Sequence, residues 1–248
     1  MAKQRFDYEA LAVNWIWRSE GPWPVFDHTR DLSKIKVPIL TAGNWMDSEV
    51  HLPGNPTSFE RASSERKFLE MHTGNHLAAY YEPAHIQRQL KFLDYFLKDK
   101  TNNSLKSSPQ IDLLIRRGTD NFYRTEEPWP PKDATYVPLY LAPNGILSFD
   151  QYKASSNDDA ICYAGLTGKH FFQTAPMKNN FEILGYSFLE LTVSTDAKDM
   201  DVFVYFYIID PEGQKLIFQG NHDEPAVSCL RSWFRLSHRT LYEACACQ

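Results

Sequence analysis

The sequence predicts an α/β layer over roughly its first hundred residues, followed by an all-β region to its end. Three observations carry that reading. Two short apolar runs, Lys36–Ala42 and Lys67–Met71, each break into a polar loop and are separated by one helix-sized segment. A long amphipathic stretch follows at Glu82–Leu97. From Ile111 onward the chain turns to runs rich in β-branched and aromatic residues, divided by turn signals.

Taken in order, residues 1 to about 30 are rich in tryptophan and proline (Trp15, Trp17, Pro22, Trp23, Pro24). This is neither a linker nor an alternating strand, and such an apolar segment needs something to pack against. Lys36-Val37-Pro38-Ile39-Leu40-Thr41-Ala42 reads as a buried strand that breaks at Gly43-Asn44-Trp45-Met46-Asp47. Asn55–Ser63 is the intervening helix. Lys67-Phe68-Leu69-Glu70-Met71 is a second strand, breaking at His72-Thr73-Gly74-Asn75-His76. Glu82-Pro83 opens the last helix, since proline in a first turn loses no intrahelical bond. Ile86, Leu90, Leu93 and Leu97 recur at steps of four, three and four with Phe92 and Phe96 beside them, so one broad apolar face should be buried. Thr101–Ser108, ending at Pro109, has linker composition. Beyond it, Ile111–Arg116, Thr135–Leu141, Phe181–Thr195, Asp201–Ile209 and Lys215–Gln219 are strand candidates, and Leu189–Ser194 alternates as a strand with one solvent face should. Asp210-Pro211-Glu212-Gly213 is a turn: proline pre-sets φ and glycine accepts positive φ. A β-sandwich or jelly roll suits this string of strands. There is no internal repeat.

Composition narrows function. With 248 residues and 43% hydrophobic content the chain can bury a real core. A balance of 26 basic against 31 acidic residues, net −5, gives no electrostatic reason to bind nucleic acid or an anionic membrane. The start, Met1–Asp7, lacks the apolar core of a signal peptide, and no run reaches the ~20 apolar residues of a membrane span, so a cytoplasmic setting is expected. Cys162, Cys229, Cys245 and Cys247 do not make a disulfide framework in a chain this long. Cys245-Ala246-Cys247 has no partner pair at zinc-finger spacing, so neither a metal nor another cofactor is expected.

The chemistry concentrates at the two strand ends. In an open parallel sheet the carboxyl ends of successive strands share one edge, so Asp47 and His76, 29 residues apart, should converge there. Each has an ordinary reading alone: an aspartate after a strand often caps a turn, and a histidine in a Gly-Asn loop is often solvated. Their paired placement points instead to the acid and histidine of a Ser-His-Asp relay, in which the carboxylate orients the imidazole that moves the nucleophile's proton. In the α/β-hydrolase arrangement the order is serine, acid, histidine. Here only Ser19 and Ser33 precede Asp47, neither in a Gly-x-Ser-x-Gly elbow. Gly185-Tyr186-Ser187-Phe188-Leu189 lacks the second glycine and follows the histidine. His72 and His76 are four apart, but Gly74 between them argues against a helical zinc motif. His28, His51, His85, His170, His222 and His238 read as structural or surface residues. His51, close after Asp47, is the most open of these.

The segments Lys36–Asp47, Gly74-Asn75-His76 and Arg88–Lys98 resemble the cocaine esterase (CocE) / Xaa-Pro dipeptidyl-peptidase family of α/β-hydrolases. Thr174-Ala175-Pro176, Gly185–Ala197, Asp210–Gly213 and Leu236-Ser237-His238-Arg239 resemble that family's C-terminal jelly roll, so the likeness runs from about Leu32 to about Leu241. The resemblance implies residues 1–30 as the end of a helical cap, 31–101 as the C-terminal half of an α/β-hydrolase sheet, and 102–248 as a truncated jelly-roll β-sandwich. It implies a serine hydrolase acting on small esters, acylated amides or Xaa-Pro peptides, with Asp47 as catalytic acid and His76 as catalytic histidine. The family's serine elbow and oxyanion hole have no counterpart in these 248 residues, and Glu243–Gln248 does not resemble the family's continuation.

Loss of the serine or histidine of such a triad costs about 10⁶ in turnover, on the order of 8 kcal/mol of barrier, so the chain alone should be inactive. Two other readings stand beside this one: a non-catalytic module whose β-sandwich binds a ligand or polypeptide, and one half of a two-chain hydrolase. A half-sheet leaves an unpaired edge and an uncovered apolar helix face, which implies a complementing chain, self-association or poor solubility.

Overall fold

The computed structural model describes residues 31–47, 51–100, 104–117, 120–153, 160–162, 164, 167–194, 199–219, 225–226 and 230–237. The opening tryptophan-rich segment and Cys229, Cys245 and Cys247 lie outside these residues. The described residues fall into two compact units, one formed by residues up to 127 together with 201–237, the other by residues 128–200.

The first unit is organised by a four-stranded sheet. Strand β1 (Ile39–Asn44) and strand β2 (Lys67–His72) run parallel in register from Ile39↔Lys67 to Asn44↔His72, with helix α1 (Gly54–Arg61) in the crossover between them. Parallel neighbours require such a crossover. The next two helices are α2 (Ala78–Tyr81) and α3 (Pro83–Leu97). Strand β3 (Ile111–Arg117) then pairs parallel to β2, and β4 (Asp120–Glu126) folds back antiparallel on β3. The order β1-β2-β3-β4 makes β2 and β3 central.

Alternation sorts the side chains of β2 and β3 between two faces. Leu69, Met71, Ile111 and Leu113 are fully buried, and the register sets Leu69 beside Ile111 and Met71 beside Leu113 on one face. Helix α1 covers that face: a Cβ built on Gly43 would lie 3.0 Å from both Asn55 Nδ2 and Met71 Sδ, so the glycine permits the close approach. The opposite face carries Phe68, Glu70 and Asp112, with Glu70 in register with Asp112, and α3 lies across it. Phe92 meets Phe68 edge-on at 6.0 Å, while Arg88 reaches Glu70 and Asp112. The paired apolar runs and the helix between them form the expected α/β layer.

Helix α3 starts where the sequence indicates, with Glu82 extended and Pro83 in the first turn. Its burial departs from expectation. At about 100° per residue, His85, Arg88, Phe92 and Phe96 share one side, and Ile86, Leu90, Leu93 and Leu97 lie roughly a third of a turn away. The first group faces the sheet, because Arg88 and His85 meet the buried Glu70 there. The aliphatic stripe is therefore left outside, with Leu97 74% exposed.

Later strands range from two to eight residues. In the second unit, β5 (Tyr140–Ala142) and β6 (Ile146–Ser148) make an antiparallel hairpin through Pro143–Gly145. Gln173 extends it, accepting from Leu147 N and donating to Gly145 O, both at 2.9 Å. The candidate strand Thr135–Leu141 thus shrinks to its end, and residues 181–194 take no strand pairing among the described residues. Propensity and alternation favour an extended chain, but a strand needs a neighbour for its backbone bonds. Trp129 instead meets Tyr186, its indole N–H donating to the phenol oxygen at 3.2 Å. Strand β7 (Asp199–Phe206) pairs with β10 (Leu230–Ser237), and β8 (Phe218–Gln219) pairs with β9 (Pro225–Ala226). The turn at Asp210–Gly213 forms as read: Gly213 has φ 81° and its N–H donates to Asp210 O at 3.0 Å. Among the described residues no helix is long and apolar enough to cross a membrane.

Candidate active site

The acid loop leaves β1 at Asn44, a buried side chain that ties two loops together. Its Nδ2 donates to Gly74 O at 2.7 Å and its Oδ1 accepts from Met46 N at 3.0 Å. Trp45 anchors the turn from outside, its indole N–H donating to Leu114 O at 2.7 Å on β3. Asp47 N donates back to Asn44 O and Asp47 O accepts from Leu52 N, both at 3.0 Å. These bonds hold a carboxylate that is only 3% exposed.

The histidine loop leaves β2 at His72 and turns at Gly74, whose φ of 94° suits a residue without a Cβ. Asn75 Oδ1 then accepts from Leu77 N and Ala78 N, both at 2.9 Å, closing the first turn of α2. Between these elements His76 brings Nδ1 to 3.3 Å from Asp47 Oδ2. The two strand tips therefore bring the expected pair together. The contact has ion-pair distance without aligned hydrogen-bond geometry, since the buried His76 Nδ1 makes no directed bond.

His51 shares the same carboxylate oxygen. Its Nδ1 contacts the same Asp47 Oδ2 more closely than His76 does, and its ring stacks on that of His76 at 5.1 Å and 18°. Asn55 Nδ2 donates to His51 O at 3.2 Å and Thr41 Oγ1 donates to Asn55 Oδ1 at 2.8 Å, so β1 and α1 jointly place the His51 backbone. The reading of His51 as a structural or surface residue is corrected to this extent: its side chain is exposed, yet it converges on the buried acid. The spacing of four from Asp47 was the available signal, but it meant little before the loop's turn was known. One donor atom each from Asp47, His51 and His76 lies within 4.8 Å of the other two.

A second polar cluster lies between α3 and the sheet. Glu70, 4% exposed, contacts His85 Nδ1 and forms an ion pair with Arg88 Nε at 3.1 Å, and Arg88 also pairs with Asp112. His72 stacks obliquely on His85 at 5.5 Å. Burial holds the His72 imidazole below its ordinary value of 6.5, with the nearby Glu70 charge opposing and His85 adding to the shift. A cavity of about 270 Å³ opens beside this cluster, lined by Leu40, Phe68, Glu70, Arg88, Phe92 and Tyr123 among others. Burial, then the Glu70 charge, raises the Tyr123 phenol. The sequence reading gave His85 no site, because Glu70 looks like one outward residue in an apolar strand.

Comparison with known proteins follows from this geometry. The family model of the X-Pro dipeptidyl-peptidase C-terminal non-catalytic domain matches residues 102–244, more than half of the chain. Two crystal structures of a CocE/NonD family hydrolase from Staphylococcus aureus are similar, each 24% identical, with TM-scores of 0.68 and 0.65. They cover 84% and 82% of this chain, which spans 38% and 37% of theirs. An aminopeptidase from a marine-sediment Thaumarchaeota archaeon is 18% identical with a TM-score of 0.52, covering 86% of this chain and 47% of its own. No curated protein matches. The chain thus spans well under half the length of the Staphylococcus hydrolase, and the shared fold is an α/β layer with a β-rich region. On the strength of the domain match and these neighbours, the chain belongs to the CocE / Xaa-Pro dipeptidyl-peptidase family.

Proposed function

We propose that Asp47 and His76 are the acid and imidazole of a serine-hydrolase triad for small esters or Xaa-Pro peptides, whose nucleophile lies outside these 248 residues. One observation carries this reading: a buried carboxylate and a part-exposed imidazole, delivered by neighbouring parallel strands, stand 3.3 Å apart. In that role Asp47 fixes the proton on His76 Nδ1 and steadies the imidazolium, leaving Nε2 to take the serine proton. The β-rich region is then the family's jelly roll.

A fluorophosphonate probe tests the proposal. The 248-residue chain should stay unlabelled, and a longer polypeptide that adds the upstream Gly-x-Ser-x-Gly elbow should label. His76→Asn and Asp47→Asn should each abolish rapid labelling of the longer form. Labelling of the short chain, or labelling of the longer form that survives His76→Asn, contradicts it. The description of the matched family domain as non-catalytic favours a second reading for residues 102–244 alone, as a module that supports binding rather than chemistry. Absence of labelling in both forms would favour that reading.

A further inference from the structure

We propose that Asp47, His51 and His76 together bind a late first-row divalent cation, zinc above all, with no nucleophilic serine required. The donor set is two imidazole nitrogens and one carboxylate oxygen, a combination that suits zinc and its neighbours rather than calcium or magnesium. One donor atom from each residue lies within 4.8 Å of the others. Ligands about 2.0–2.2 Å from a tetrahedral ion stand about 3.4 Å apart, and the Asp47 Oδ2 to His76 Nδ1 separation of 3.3 Å already matches this.

The arrangement is half-built as a hydrogen-bonded cluster and better completed by an ion. One carboxylate oxygen serves two imidazoles, and His76 Nδ1 is buried without a directed hydrogen bond. An ion between the three donors satisfies that nitrogen; any proton on His51 Nδ1 passes to solvent, and neutral His76 then carries its proton on Nε2 rather than Nδ1. Little must move. Asp47 is held by its buried loop, whereas His51 is 60% exposed at its side chain and can turn out of its 18° stack to aim its lone pair. Three protein ligands leave a fourth position for water, as in zinc sites that stay open. A bound ion occupies Asp47 Oδ2 and His76 Nδ1 together, so metal loading and a proton relay through this pair exclude each other.

Cobalt titration tests the site in the 248-residue chain carrying Cys245→Ser and Cys247→Ser, which removes the terminal thiols. One equivalent of Co²⁺ should give the visible band of a four-coordinate site, displaced by Zn²⁺. His51→Ala should weaken binding at least tenfold, His51→Asp should restore part of it, and His170→Ala should leave it unchanged. A folded His51→Ala chain that binds as tightly as its parent, or a parent showing no band with millimolar Co²⁺, overturns the proposal. The titration reads bound metal in a chain without the nucleophile, so its failure leaves the triad reading standing, and failed phosphonate labelling leaves the titration unaffected.

Discussion

Replacing Glu70 by glutamine removes one charge from beneath α3 while keeping the side chain's shape. The carboxylate is 4% exposed and pairs with His85 Nδ1 and Arg88 Nε, so the variant leaves a guanidinium and an imidazole facing a neutral amide. Breaking a buried ion pair from one side costs about 3–5 kcal/mol. Arg88 keeps Asp112 and is 20% exposed, so water and the second carboxylate offset part of this, and the expected loss is about 2–3 kcal/mol. With a urea slope of about 2–3 kcal/mol/M, the unfolding midpoint should fall by roughly 1 M at unchanged slope. In a double-mutant cycle with Arg88→Met, the two losses should fall short of additivity by at least about 1 kcal/mol, since they remove one interaction twice. A midpoint within experimental error of wild type, or strict additivity in the cycle, refutes the claim that this pair fastens α3 to the sheet.

Two further outcomes are expected. His72 is held below 6.5 in the folded chain, so the unfolded chain binds more protons just under that pH; stability is fully present above it and falls as pH drops. His72→Gln should flatten the decline in urea midpoint below pH 6.5, and an unchanged slope contradicts the assignment. Gly145 combines a φ of 76° with a position where a Cβ would sit 2.7 Å from Phe171 O, so Gly145→Ala should cost about 2 kcal/mol locally. Amide exchange at Leu147 and Gln173 should quicken; unaltered exchange there contradicts the strain argument.

The α/β layer was legible because its signals are local: an apolar run, a break and a helix of the right length specify one crossover unit. Asp47 and His76 could be paired for the same reason, since parallel strands bring their carboxyl ends to one edge. What stayed hidden was relational. His51 joins Asp47 only through a turn fixed by Asn44 and Leu52 hydrogen bonds, which no spacing rule expresses. The α3 burial was misjudged because counting apolar residues finds the aliphatic stripe, whereas Glu70 on the sheet turns the helix so that Arg88 and His85 face inward. Residues 181–194 have strand composition, yet composition does not supply a neighbouring strand. A buried acid inside an apolar run is the kind of residue whose partner only the fold reveals.

The central claim is that Asp47 orients His76 as a base, and imidazole nitrogen NMR on the metal-free chain tests it most directly. Neutral His76 should carry its proton on Nδ1, leaving Nε2 as acceptor, and Asp47→Asn should shift the population toward the Nε2–H form. A His76 already protonated on Nε2 in the unaltered chain, or one whose tautomer ignores Asp47→Asn, contradicts it.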